Sequence, residues 1–199
     1  MIAAVVALLL AATVLGVVAA RRGAPGIPGL IWAAIPATLV GGAAVVALAA
    51  PAAHGFGLAA VRVAAVLAAM AGGSALVTAA FGLAGATGED EPATESPQES
   101  AADDDSHEPD PDEEAHEEEQ VPAAPLRGGL SIGVLERAAI AVCVLANFGG
   151  GLAVIVAAKG LARYPELRNP GAAEQFIIGT FVSVLWAVAC AGVAVALGR

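Results

Sequence analysis

The first twenty residues, Met1–Ala20, carry no charged side chain, and four further stretches read much the same way: Gly29–Ala53, Leu58–Gly85, Ala138–Ala158 and Phe176–Leu197. A helix needs about 20 apolar residues to cross a hydrocarbon core of about 30 Å, and each of the five meets that length. Lipid offers no partner to exposed backbone N–H and C=O groups, so such a run closes its own hydrogen bonds as an α-helix. A soluble all-α core would need helices with polar faces, and these runs have none; the third carries Arg62 near its start. Gly and Pro in "RRGAPGIP" and the short "HGFG" turn separate the first three runs. The predicted fold class is therefore all-α: an integral membrane helical bundle of about five transmembrane helices.

Charge is distributed in a way that divides the chain. Its 199 residues are 58% hydrophobic and only 14% charged, well below the usual quarter of a soluble domain. The formal charge of -10 is local: sixteen of the nineteen acids fall between Glu89 and Glu119, with no Lys or Arg among them. Such a stretch cannot bury enough apolar surface to offset the entropy of ordering, and like charges in a block extend the chain. This predicts three parts: a three-helix transmembrane part over 1–85, a disordered acidic linker over 86–125, and a two-helix transmembrane hairpin over 126–199. His107 and His116 sit in the linker among carboxylates without fixed ligand geometry, so no metal is assigned there. The strip suits a basic partner and excludes nucleic acid, because acid repels phosphate.

The two cysteines, Cys143 and Cys190, lie inside apolar runs and read as packing residues, with no disulfide framework or metal spacing. A cleaved signal peptide places positive charge before its apolar core, whereas Arg21 and Arg22 follow it, so the first run reads as a retained anchor. Heavy use of Ala, Gly, Val and Arg fits a GC-rich bacterial genome, hence a multi-pass protein of the bacterial plasma (inner) membrane. Five spans leave orientation open under the positive-inside rule. With the N-terminus outside, Arg21, Arg22, Arg127, Arg137 and Arg199 lie inside, and Arg62, Lys159, Arg163 and Arg168 outside. The uncharged start followed by Arg21-Arg22 favours this orientation, which puts the acidic linker in the cytoplasm.

The stretch "AAKGLARYPELRNPGAAEQF" between the last two runs resembles the turn of an ATP synthase rotor hairpin: Gly149–Gly151 in the preceding helix, Ala162-Arg163-Tyr164-Pro165 in the turn, and "FIIG" after it. A rotor binds its ion on a membrane-buried carboxylate, whose place falls near Ser183. Phe176–Leu197 contains no Asp, Glu, His, Lys or Arg, so the ionisable group that a proton relay needs is missing and the rotor reading fails. A broader pattern runs Ile132-Gly133-x-Leu135-Glu136-Arg137, then Ala157-Ala158-Lys159-x-x-Ala162-Arg163-Tyr164, then Ala173-Glu174-x-Phe176-x-Ile178-Gly179-Thr180-x-x-Ser183. Over about 130–197 it resembles the C-terminal hairpin of an uncharacterised bacterial integral-membrane family, a domain of unknown function. The resemblance implies a fold element and no activity. The Gly149–Gly151 triplet departs from it and puts the straightness of that helix in question.

Physical reading of the same residues gives candidate roles. A hairpin turning near Tyr164–Gly171 brings Lys159 and Glu174 to one membrane face, where a pair with Arg163 alongside would pin the turn; alternatively, all three extend to the headgroups. Glu136 and Arg137 fall at the far end of the fourth run, about 30 Å away along a straight helix, out of reach of Lys159. Gly149, Ala153 and Ala157 recur every four residues on the fourth run, as do Gly179, Ser183 and Ala187 on the fifth. Small residues at this spacing allow close backbone approach in lipid, which predicts that the last two runs seam together. Asn147 stands alone as a strongly polar residue inside the fourth run and reads as an interhelical hydrogen-bond donor.

No nucleophile elbow, phosphate-binding Gly loop or zinc motif occurs, and nothing holds the linker acids in the fixed geometry that acid–base chemistry needs. The expectation is a non-enzymatic, cofactor-free membrane protein, a scaffold or subunit of a bacterial envelope assembly. Its partners are the bilayer and itself or another membrane protein. The alternative is a small transporter or channel-like component with a polar path near Asn147, Thr180 and Ser183.

Overall fold

The computed structural model describes residues 1–22, 27–86, 129–168 and 170–199. Nearly all of the acidic linker, expected to be disordered, lies outside them. Six α-helices and a short 3-10 turn make up the described chain: α1 (Ile2–Arg22), α2 (Ile27–Ala49), α3 (Gly55–Ala86), α4 (Gly129–Leu145), α5 (Gly149–Ala162), the turn at Glu166–Arg168, and α6 (Pro170–Leu197). No strand occurs among the described residues. Over the described residues the protein is an all-helical membrane bundle. Four helices, α1, α2, α3 and α6, are long and apolar enough to cross a bilayer.

α3 is the centre of the bundle and packs chiefly on α6 and α1, with α2 against α1. At α1–α3, Gly16 meets Gly72 so closely that a Cβ on Gly16 would sit 2.8 Å from the Gly72 Cα. Small residues permit such backbone approach where packing, not water, drives association. α6 runs antiparallel to α3. Its end joins the chain just before α3 through Ala53 N–H to the Leu197 carbonyl at 2.8 Å. Its middle meets α3 through the Trp186 indole, which donates to the Ala68 carbonyl at 3.1 Å. Its beginning sets Gly179 against Val77 and Phe81. The bundle thus has a first face, where α1 and α3 begin and α2 and α6 end, and a second face opposite. Leu9, Val61, Ala65, Ala68, Ile140, Ala187, Cys190 and Leu197 are among the core residues packed between helices.

The fourth apolar run is where the fold departs from expectation. Ala138–Ala158 is not one helix: α4 stops at Leu145 and α5 starts at Gly149. Between them Asn147 takes a left-handed φ of 54°, a conformation that ends helices and that Asn tolerates better than most residues. Backbone bonds from Asn147 N–H to Val144 O and from Phe148 N–H to Cys143 O close the turn. Gly151 follows where a Cβ would sit 2.5 Å from Cys143 Sγ, so the triplet lets α5 fold back against α4. Lys159 Nζ then reaches Glu136 Oε2 at 2.5 Å. On one straight helix those residues, 23 apart, would lie about 35 Å from each other; the ion pair requires α4 and α5 to be antiparallel.

α5 leads through residues 163–169 into the start of α6 at the second face, so the α4–α5 hairpin enters and leaves by that face. Arg137 lies level with Met70 and Gly73 of α3. Leu145 is about 12 Å further in, while Gly55 at the first face is about 22 Å beyond Met70. The hairpin therefore turns back roughly 10 Å short of the first face. Among the described residues, four span-length helices and an inserted helical hairpin stand where five spans were predicted.

Candidate functional site

The most unusual chemistry in the bundle gathers where α4 meets α3. Arg137 is only 4% exposed, although it projects, next to Glu136, from a largely apolar helix into the middle of a transmembrane bundle. Space for it comes from Gly73: a Cβ there would lie 2.5 Å from the Arg137 Cδ and 2.7 Å from its Nε, so the side chain rests flat on bare α3 backbone. One terminal nitrogen donates to the Met70 carbonyl at 3.0 Å. The buried Nε has no hydrogen-bond partner among the described residues. Glu136, the preceding residue, supplies negative charge close by, while its carboxylate is held by Lys159 across the hairpin. Three charged groups from two short helices thus form one cluster, with Glu136 and Lys159 themselves only 16% and 27% exposed.

Thr180 and Ser183 are buried on α6 at 7% and 6% exposure. By the α3–α6 register, Ser183 falls between the levels of Gly72, which touches Trp186, and Val77, which touches Gly179. This is the depth of Arg137. Gly72 is enclosed on two sides: Gly16 backs onto it from α1, and the Trp186 ring fills the place its Cβ would take. The successive glycines Gly72 and Gly73 thereby seat the two largest polar-tipped side chains of the interior, Trp186 from α6 and Arg137 from α4.

Several sequence-based assignments change. Lys159 pairs with Glu136, the residue placed out of its reach, and not with Glu174, which is exposed. The reason is the fold-back at Asn147, which carries Lys159 to the start of α4. Arg163 is exposed in the turn after α5. The predicted seam of Gly149, Ala153 and Ala157 against Gly179, Ser183 and Ala187 does not form. The α5 residues are exposed, and a Cβ on Gly149 meets nothing within 4 Å. The α6 stripe is used instead against α3 and α4, the main neighbours of α6; Gly179 meets Phe81, and Ser183 and Ala187 are buried. Asn147 is exposed at the hairpin tip and makes no path with Thr180 and Ser183. Cys190 is fully buried, and Cys143 is half-buried against Gly151.

Arg137 is the site residue that sequence reading missed. Hydropathy places it at the edge of an apolar run, where an arginine ordinarily reaches water. The available signals were the Gly72-Gly73 pair in α3, which opens room for a large side chain, and the even placement of Glu136 and Lys159, eleven and twelve residues either side of Asn147. Among the described residues no group of His, Cys, Asp and Glu is arranged to hold a metal ion. Compared with protein-family models, curated proteins and solved structures, the chain matches none.

Proposed function

We propose that this chain is a non-catalytic subunit or scaffold of a bacterial plasma-membrane assembly, and that the α4–α5 hairpin is the element through which it holds its partner. The observation that carries this reading is the position of α5. Among the described residues it packs chiefly on α4, is pinned near its end by Lys159–Glu136, and turns Ala153, Val154, Val156, Ala157 and Leu161 outward. Added Cβ atoms on Gly149 and Gly160 meet nothing, so these glycines serve no close approach within the chain. A smooth helix face of this composition suits packing against another membrane helix. Affinity purification from native membranes in mild detergent tests it: a stoichiometric membrane partner is expected with the wild type and lost with Ala153→Leu plus Ala157→Leu. Retention of that partner by the double variant, or recovery of the chain alone, contradicts the proposal.

The four-span arrangement also bears on orientation. Among the described residues Arg21, Arg22, Arg163 and Arg168 lie towards the second face, and Arg62 and Arg199 towards the first, with Lys159 and Arg137 in the cluster between them. Lys and Arg concentrate on cytoplasmic loops, so the second face is cytoplasmic, and the acidic linker, which joins α3 to α4, belongs to that side.

A transport role is the second reading, favoured by the buried Arg137 Nε without a partner. Ionisable groups inside a membrane bundle often mark substrate or ion pathways. Ser183→Cys, made with Cys143 and Cys190 replaced by Ala, separates the two. Labelling by a small water-soluble thiol reagent supports a wetted path at the depth of Arg137; protection supports a dry packing seam.

A further inference from the structure

Between α2 and α6 the bundle leaves an open groove of about 460 Å³, within the range of sites that hold small ligands. Its walls are apolar: Ala37, Gly41 and Ala44 from α2 face Ala189, Gly192 and Val193 from α6. The small residues here are not explained by packing within the chain, because added Cβ atoms on Gly41 and Gly192 meet nothing within 4 Å. Elsewhere glycines let helices touch, as Gly16 and Gly72 do; these two keep helices apart from filling a shared space.

The groove has a direction. Its inner end is Trp186, which bonds to Ala68 near the middle of α3. Its outer end lies at Leu48 and Ala196, near the ends of α2 and α6 at the first face. Trp186 to Ala196 is about 15 Å of helix, half of a hydrocarbon core of about 30 Å. At the outer end stands a cation. The Arg199 Nε donates to the Ala196 carbonyl at 2.5 Å and a terminal nitrogen to the Leu48 carbonyl at 3.2 Å. Two wall residues of the groove therefore hold the guanidinium over its mouth, and that side chain remains exposed.

We infer that this groove is a binding site for one phospholipid of the first-face leaflet, with an acyl chain lying along α2 and α6 to Trp186 and the phosphate on Arg199. Length, apolar walls and a cation at the interfacial end match the three parts of such a lipid. A partner helix would fill the apolar part but leaves the cation without its counter-charge. The site is independent of the α4–α5 hairpin and of the partner reading built on it.

The test uses the whole chain in nanodiscs, with Trp32→Phe leaving Trp186 as the sole tryptophan of the two. Phosphatidylglycerol brominated near mid-chain is expected to quench Trp186, and Gly41→Leu with Gly192→Leu, or Ala189→Leu, to restore its emission. Thermal unfolding should be unchanged by these groove-filling substitutions. Arg199→Gln is expected to lower phospholipid retained after detergent washing about fivefold, the effect of one interfacial cation. Unquenched Trp186 in the parent, or quenching that persists when the groove is filled, overturns the inference. Protection of Trp186 in a dimer that gives way to quenching on dissociation also overturns it and assigns the groove to a second copy.

Discussion

Gly72 has the Gly16 backbone on one side and the Trp186 ring on the other. Any side chain there has to displace that buried indole, whose N–H is already committed to Ala68. Overpacking of this kind costs about 1–3 kcal/mol. Gly72→Ala is therefore expected to lower the thermal unfolding temperature in detergent, whereas Gly82→Ala, whose Cβ meets nothing within 4 Å, should leave it unchanged or raise it slightly. Equal behaviour of the two variants contradicts the close three-helix contact. The charge cluster makes a second residue-scale prediction. Glu136 neutralises Lys159 directly and lies next to Arg137, so Glu136→Gln leaves two cations uncompensated and Lys159→Gln leaves one anion beside a remaining cation. The first should destabilise more. The double variant should be less damaged than the sum, with a coupling of about 0.5–3 kcal/mol for residues in contact; strict additivity in a double-mutant cycle would falsify the pair. The sequence showed these residues but not their company. Glu136, Arg137 and Lys159 were each visible as charges at the rims of an apolar run, and only the chain's reversal at Asn147 converts two opposite rims into one cluster.

At the scale of elements, α1, α2, α3 and α6 were legible because hydropathy and length are enough to define an isolated span. The observed helices begin and end within a few residues of the apolar runs, and extend past them at Pro170 and Gly55. The fourth run was not legible by the same criterion. A largely apolar run of twenty-one residues suits one crossing or two shorter arms equally well, since lipid exposure looks alike in both. What decides is the turn chemistry of Asn147-Phe148-Gly149-Gly150-Gly151, with left-handed Asn147 and Gly151 crowded against Cys143 and Phe148. The small-residue stripes were visible, but small residues on a stripe do not name the helix that meets them. α6 uses its stripe on α3 and α4, and α5 turns its own outward. Ser183→Leu should therefore lower the unfolding temperature, by wedging a buried position, while Ala153→Leu in exposed α5 should leave it unchanged. A larger loss for Ala153→Leu contradicts the observed packing.

For the whole molecule, the consequence of the hairpin is a change in sidedness. Five spans would carry the chain after α5 to the first face and leave Arg199 at the second. Four spans with an inserted hairpin keep residues 163–168 at the second face with Arg21 and return Arg199 to the first face beside Ala53. The same reversal concentrates the described Lys and Arg residues on one side, where five spans divided them almost evenly. The most direct measurement is single-cysteine labelling in intact cells with a membrane-impermeant maleimide, in a chain whose Cys143 and Cys190 are replaced by Ala. Cysteines are placed one at a time at Arg21, Ala52, Tyr164 and Arg199, all exposed. The hairpin arrangement predicts that Ala52→Cys and Arg199→Cys label together from outside, and that Arg21→Cys and Tyr164→Cys label only after the membrane is opened. Labelling of Tyr164→Cys with Ala52→Cys, and of Arg199→Cys with Arg21→Cys, would show that α4 and α5 cross the membrane as one span and would contradict the fold-back at Asn147.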